Sequence, residues 1–290
     1  MRWVVVGVGI AGRARARAIL ADPKSELAGV WRGRFAGDLG VPVFAAFEDA
    51  LAAADAVAIA SPTRHHAEQV AAALAAGRHV VVEFPVARTP AEAEPLFVEA
   101  ERQDLVLHVE HIELLTPVAE HLRAHVGRDR VTDVRLTATR PGTRVGDDLA
   151  LGNVARLMRL VDACGPVAAV ESVDAAPGRL AARLRLASGA PVALDLREDQ
   201  DLPRETTLRV DDGRVWHQRD DRLDLDGVAV DLPPATPLFA RDHAVATDRI
   251  AGRAAPYVTP DAILHVLDLV EALGASRSGP VPCHRMMRWG

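Results

Sequence analysis

Glu83, Phe84 and Pro85 end the apolar run HVVVEFP, where a strand would hand over to a tight loop. Glu110 and Glu113 follow the run LVLHV with His111 between them, and their spacing of three puts both on one face if the segment is helical. Arg156 lies farther on, in the helical stretch LGNVARLMRLVDACG. Carboxyls, a guanidinium and an imidazole are the groups of proton transfer and anion recognition. His111 is a candidate proton donor beside the two glutamates. The alternatives on the same residues are a structural ion-pair cluster at a domain junction and a histidine satisfied by backbone. His108 reads as packing.

A second set of residues has the pattern for binding. Trp3 to Val6 is a short β-branched run, then comes GVGIAG, then the helical stretch RARARAILAD. Strand, G-x-G-x-x-G and helix in that order form the dinucleotide-binding fingerprint. Gly7 permits the tight turn, Gly9 lets the backbone approach a pyrophosphate, and Gly12 allows helix to pack on strand. The pyrophosphate is expected at the helix start, against the backbone of Gly9, Ile10 and Ala11. The second strand ends in Trp31, Arg32, Gly33 and Arg34, where an NAD site usually places a carboxylate for the ribose. Arg32 and Arg34 can grip a 2′-phosphate, so NADPH is expected over NADH. Arg15 and Arg17, in the first helix with Arg13, are either a cationic rim for substrate carboxylates or a solvated face.

The elements that must position these groups alternate. Strands and helices follow one another to about residue 118, among them the helix HHAEQVAAALAAG and the helix opened by Thr89 and Pro90. Repeated βαβ units imply a Rossmann-type, doubly wound parallel sheet with ligands at the carboxyl ends of its strands. Ser61, Pro62, Glu83 and Phe84 fall at that edge and are assigned to the cofactor. From about residue 131 the pattern turns strand-rich, with SGA, DDG and LDG turns between alternating segments. The fold class is therefore α/β: a nucleotide-binding domain over 1–118, then an α+β substrate domain over 119–290 with a large, mainly antiparallel sheet.

Composition limits the partners. The 290 residues are 49% hydrophobic and 26% charged, with a net charge of -6, which speaks against a nucleic-acid backbone as partner. No apolar run approaches the length of a membrane span. Cys164 and Cys283 are far apart, no residues have metal-ligand spacing, and the expected compartment is the cytoplasm. Lys24 and Asn153 are the single lysine and asparagine of a chain rich in arginine and alanine.

With GVGIAG, SPTRHHAEQVAAALAAGRHVVVEFP and the sheet domain in view, the chain resembles the glucose–fructose oxidoreductase and inositol 2-dehydrogenase family. GVGIAGRARARAI, VEFP, VLHVEHIELL and ARLMRLVDACG are similar to its biliverdin reductase branch. The resemblance spans almost the whole chain and is specific over the first 165 residues. It implies an NAD(P)H-dependent oxidoreductase, with Glu83, Glu110, Glu113 and Arg156 matching residues of that branch, Arg156 facing the substrate as cation or proton relay and oriented by Glu110 and Glu113, and His66 matching the family's usual histidine. Arg15 and Arg17 match arginines of the branch, suited to the propionates of a bilin.

Two departures from the sugar-dehydrogenase pattern matter. Phe84 stands where the family carries its lysine, and Ala155 and Arg156 where its histidine falls. Biliverdin reductases carry tyrosine at the Phe84 position. Oxidising an alcohol needs a base near neutral pKa; reducing a bilin sends hydride to an electron-poor methine and a proton to a basic pyrrole nitrogen. The expectation is an NADPH-dependent bilin reductase. Its rivals are a dehydrogenase of a sugar-like alcohol, with Glu110 or His111 as base, and a catalytically silent NADP(H) sensor. A monomer is preferred over a dimer through the sheet face.

Overall fold

A computed structural model describes residues 1–139, 149–198 and 204–281. The chain forms two compact units, Met1–Leu115 with Thr236–Pro260, and Thr116–Ala235 with Asp261–Gly290. The sequence suggested one break at residue 118. The segment 236–260 instead returns to the first unit, where Asp242 finds partners in Arg15 and His108.

The first unit holds β1 (Arg2–Val6), α1 (Ile10–Ala21), β2 (Glu26–Trp31), β3 (Val43–Phe44), α2 (Phe47–Ala52), β4 (Ala56–Ile59), α3 (His66–Ala75), β5 (His79–Glu83), α4 (Pro90–Arg102) and β6 (Leu107–Glu110). The strands form one parallel sheet in the order β3-β2-β1-β4-β5-β6. Trp3 to Val6 and Val80 to Val82 are buried without interruption, as strands covered on both faces require. The order places β1 centrally, so the loop after it opens at the topological switch point. α4 starts where Thr89 Oγ1 accepts the Glu92 N–H at 3.2 Å, with Pro90 in its first turn.

The second unit carries α5 (Pro117–His125), β7 (Val131–Thr139), α6 (Leu149–Gly152), α7 (Val154–Cys164), β8 (Val167–Ala176), β9 (Arg179–Leu186), β10 (Pro191–Arg197), β11 (Glu205–Val210), β12 (Val215–Arg219), β13 (Arg222–Leu225) and β14 (Val228–Ala229). After β14 the chain passes through α8 (Leu238–Ile250) in the first unit, and then forms α9 (Pro260–Gly274) and β15 (Gly279–Pro280). The nine strands lie in the order β14-β13-β12-β11-β7-β10-β9-β8-β15. All neighbours are antiparallel except β7 and β10, so the sheet is mixed but mainly antiparallel, as expected. β9 buries Leu180, Ala182, Leu184 and Leu186 on one face and presents the residues between them on the other. Cys164 is buried, which pushes its thiol up to about 12, while Cys283 lies outside the described residues.

Candidate functional site

The glycine loop between β1 and α1 separates two steric roles. A Cβ on Gly12 would stand 2.1 Å from Gly7 O, and one on Gly7, at φ +86, would stand 2.6 Å from the Ser61 backbone. Both glycines are required by the fold itself. A Cβ on Gly9 would meet nothing within 4 Å. Gly9 thus leaves an open cradle at the start of α1, where first-turn N–H groups, those of Ile10 and Ala11 included, have no intrahelical acceptor. That cradle fits a pyrophosphate.

The loop after β2 is fastened to this cradle. The Val8 N–H donates to Arg32 O at 2.8 Å, the Phe35 N–H donates to Val8 O at 3.1 Å, and a Cβ on Gly33 would stand 2.3 Å from Val8 N. Arg32 takes a left-handed φ of 55, which a side chain rarely adopts and which turns the strand end sharply. The guanidinium of Arg32 lies over Trp31 at 4.6 Å, and those of Arg34 and Arg13 over Phe35 at 4.5 and 4.9 Å. Arg32 and Arg34 are exposed. The Arg13 guanidinium also lies 3.8 Å from Asp38 Oδ2.

The loops after β4 and β5 form the other side of the carboxyl edge. Ser61 is half-buried and Pro62 exposed. His66 is buried with Nδ1 2.8 Å from Pro85 O and Nε2 2.7 Å from Ser61 O, so one ring ties the two loops together. Burial, opposed by the two carbonyls, lowers its pKa, and the neutral ring donates to one of them at a time. Phe84 is half-buried with its ring 4.9 Å from that of His111, which makes the tip of β5 apolar. The His111 N–H donates to Tyr257 Oη at 2.8 Å.

Arg15 differs from its expected place. It is no part of an exposed rim: its side chain is 2% exposed, donating to Asp242 Oδ2 at 2.5 Å and to Glu110 Oε2, with Glu83 Oε1 at 4.0 Å. The spacing of α1 turns Arg15 toward the sheet while Arg17 stays exposed. Glu110 is therefore paired with Arg15 inside the first unit. His108 is not packing alone: Nε2 lies 2.8 Å from Asp242 Oδ1, and Arg249 Nη1 lies 3.0 Å from its Nδ1. Tyr257 donates to Asp242 Oδ1 at 2.5 Å. Asp242, Arg249 and Tyr257 went unread because they belong to a later segment with no motif. A buried arginine facing two glutamate-bearing strands is the signal that could have raised the question.

Glu113 is half-buried in the short turn after β6. In the second unit, Arg156 and Arg159 are one helical turn apart on α7, and Arg159 Nη2 donates to Gln218 Oε1 at 2.6 Å. Burial, with repulsion from Arg159 and Arg204, pushes the Arg156 guanidinium down to about 9; it remains charged at neutral pH. Among the described residues no helix is long and apolar enough to cross a membrane, and no group of three or more His, Cys, Asp or Glu could hold a metal.

Residues 1–111 match the model of an oxidoreductase family with an NAD-binding Rossmann fold. Biliverdin reductase A of Mus musculus is 34% identical over 177 residues, 58% of this chain and 60% of that protein. UDP-N-acetylglucosamine 3-dehydrogenase of Acidithiobacillus ferrooxidans is 35% identical over 129 residues, 42% of this chain and 41% of that protein. These matches span less than two thirds of either relative. The solved structure of biliverdin reductase with biliverdin and NADP+ from Synechocystis sp. PCC 6803 has a TM-score of 0.83 at 24% identity, covering 95% of this chain and 98% of its own. That likeness shows the two-domain fold.

Proposed function

We propose that this chain, whose residues 1–111 match the model of an NAD-binding oxidoreductase family, is an NADPH-dependent reductase of a linear tetrapyrrole, of the biliverdin-to-bilirubin type. The observation that carries the reading is the apolar tip of β5. Phe84 packs against His111 where an alcohol dehydrogenase of this family would place its lysine, and Lys24 lies in the turn after α1. An apolar face suits a flat nicotinamide or a flat tetrapyrrole, and bilin reduction asks for no base to deprotonate an alcohol.

Gly9 and the start of α1 would hold the pyrophosphate, and Arg32 and Arg34 the 2′-phosphate. Ser61, Pro62 and Phe84 would line the nicotinamide side, with His66 fixing their loops. When bound, the reduced nicotinamide supplies a hydride to the central methine carbon of the bilin. Arg156 would act on the substrate as a cation, at a carboxylate or beside the pyrrole nitrogens. Arg17 is the remaining exposed candidate for a propionate. The reading includes a monomer in the cytoplasm, which sedimentation and cell fractionation would check.

The match to a UDP-N-acetylglucosamine dehydrogenase favours a second reading, a dehydrogenase of a sugar-like substrate. One assay separates them. Purified protein is mixed with NADPH and either biliverdin or a UDP-sugar. Loss of the long-wavelength biliverdin band with growth of the bilirubin band, faster with NADPH than NADH and depressed in Arg156→Ala, is expected. Turnover of the sugar alone would replace the bilin reading, and nucleotide binding with neither turnover would leave a sensor.

A further inference from the structure

Glu83 and Glu110 end adjacent strands and are register partners in the parallel sheet. Their Cα atoms are therefore about 4.8 Å apart, with side chains leaving the sheet on the same face. Arg15 is shared by three carboxyls: Nη1 bonds Asp242, Nη2 bonds Glu110, and Glu83 Oε1 stands 4.0 Å from that same Nη2.

One guanidinium cannot neutralise three carboxylates, two of them buried, and the three environments differ. Asp242 receives Arg15, Tyr257 and His108, so it carries its charge; its pKa is lowered despite burial, chiefly through Arg15 and His108. Arg15 alone among the described side chains donates to Glu110. Desolvation pushes Glu110 well above its ordinary range; Arg15 opposes this, and the charge of Glu83 with a hydrogen bond to it adds to the rise. Glu83 Oε1 is buried and meets no hydrogen-bond donor among the described residues. A hydroxyl on Glu110 supplies that donor. Tyr257, which feels the charge of Glu110, bonds Asp242 and the His111 N–H; Arg249 contacts His108, and the His111 ring lies beside Phe84.

We propose that Glu83 and Glu110 share one proton in the resting protein, and that Glu83, the more exposed of the two, delivers it to the substrate at the carboxyl edge of the sheet during reduction. The existence of the shared proton is independent of the reductase reading, and its destination rests on that reading. In the step, the O–H bond of the pair breaks, its electrons stay on the carboxylate, and an N–H bond forms on the bilin. The bilin gains this proton and a hydride, and NADPH becomes NADP+. Three carboxylates then face one guanidinium, and the pair takes a proton back from solvent through Glu83. Glu110 acts through Glu83 and is a positioning residue.

Infrared difference spectroscopy on the full chain, in H2O and D2O and without substrate, reads the C=O stretch of a protonated carboxyl. We expect a deuterium-sensitive band that persists near pH 7, lost in Glu110→Gln and shifted in Glu83→Gln. With biliverdin, Glu83→Gln should lower kcat by roughly 10²-fold or more, with little change in the KM for NADPH and loss of the alkaline limb of the kcat–pH profile. Absence of the band in the unmodified protein overturns the proposal, as does a band with undiminished kcat in Glu83→Gln. A band in a protein that does not reduce biliverdin would uphold the shared proton and remove the bilin reading. Should Glu110→Gln fail to fold, Glu83→Gln carries the test.

Discussion

Asp242 and Glu110 flank the same arginine and act on stability in opposite directions. Asp242 is held below its ordinary value of 3.8, so the stability it adds is present above that pH and is lost as pH falls through the folded value. Glu110 is held above its ordinary 4.5, so the folded chain keeps a proton that the unfolded chain releases, and stability declines as pH rises from 4.5 toward the folded value. Urea midpoints should rise through the acid range and then fall toward neutrality. Asp242→Asn, which breaks a buried pair, should cost about 3–5 kcal/mol at neutral pH, and Glu110→Gln should flatten the neutral-side decline. A profile of Glu110→Gln identical to that of the unmodified protein would contradict the assignment. The glycines make a sharper contrast. Gly9→Val should leave the melting temperature nearly unchanged and weaken NADPH binding at least tenfold, since its side chain enters the open cradle. Gly12→Ala meets Gly7 O and should destabilise the fold by about 2 kcal/mol or more. Calorimetry and nucleotide titration separate the two.

The elements hold these residues through a few tertiary bonds. His66 joins the loop after β4 to the loop after β5, so His66→Ala should loosen Phe84 and raise the KM for NADPH more than it lowers melting temperature. His66→Gln, which keeps one donor, should restore part of the affinity. The loop after β2 is fixed by Val8, and the proposed NADPH reading puts Arg32 and Arg34 on a 2′-phosphate: replacing both by alanine should cut the preference for NADPH over NADH at least tenfold. Much of this was legible in the sequence. GVGIAG between an apolar run and a helical stretch gives strand, loop and helix through steric rules that act within a few residues. The charge at the end of β2 reads directly as well. What the sequence could not supply was which cations stay in solvent. Arg13, Arg15 and Arg17 alternate in one helix, and only the carboxyls of β5, β6 and α8 decide that Arg15 is buried.

At the scale of the molecule, the chain crosses between its units more than once, and the crossing at Ala235 and Thr236 lies in the proline-rich stretch LPPATP. The segment 236–260 has no motif, yet it brings Asp242, Arg249 and Tyr257 to the first unit and packs His243 against Trp3, with ring centroids 5.0 Å apart. A fragment of residues 1–115 alone would leave Arg15 and His108 buried without Asp242, and it should melt well below the whole protein. Equal melting temperatures would contradict this view of the segment. The alternating pattern of the second half was readable as a sheet, whereas the parallel pairing of β7 with β10 depends on a long-range connection that local periodicity does not encode.

The most direct measurement is reduction of biliverdin with NADPH carrying deuterium at the transferable position of its nicotinamide, followed by mass and NMR analysis of the product. The account predicts bilirubin with one deuterium on its central carbon, which reduction converts from methine to methylene. Bilirubin without deuterium there, or no reduction by a protein that binds NADPH, would contradict it.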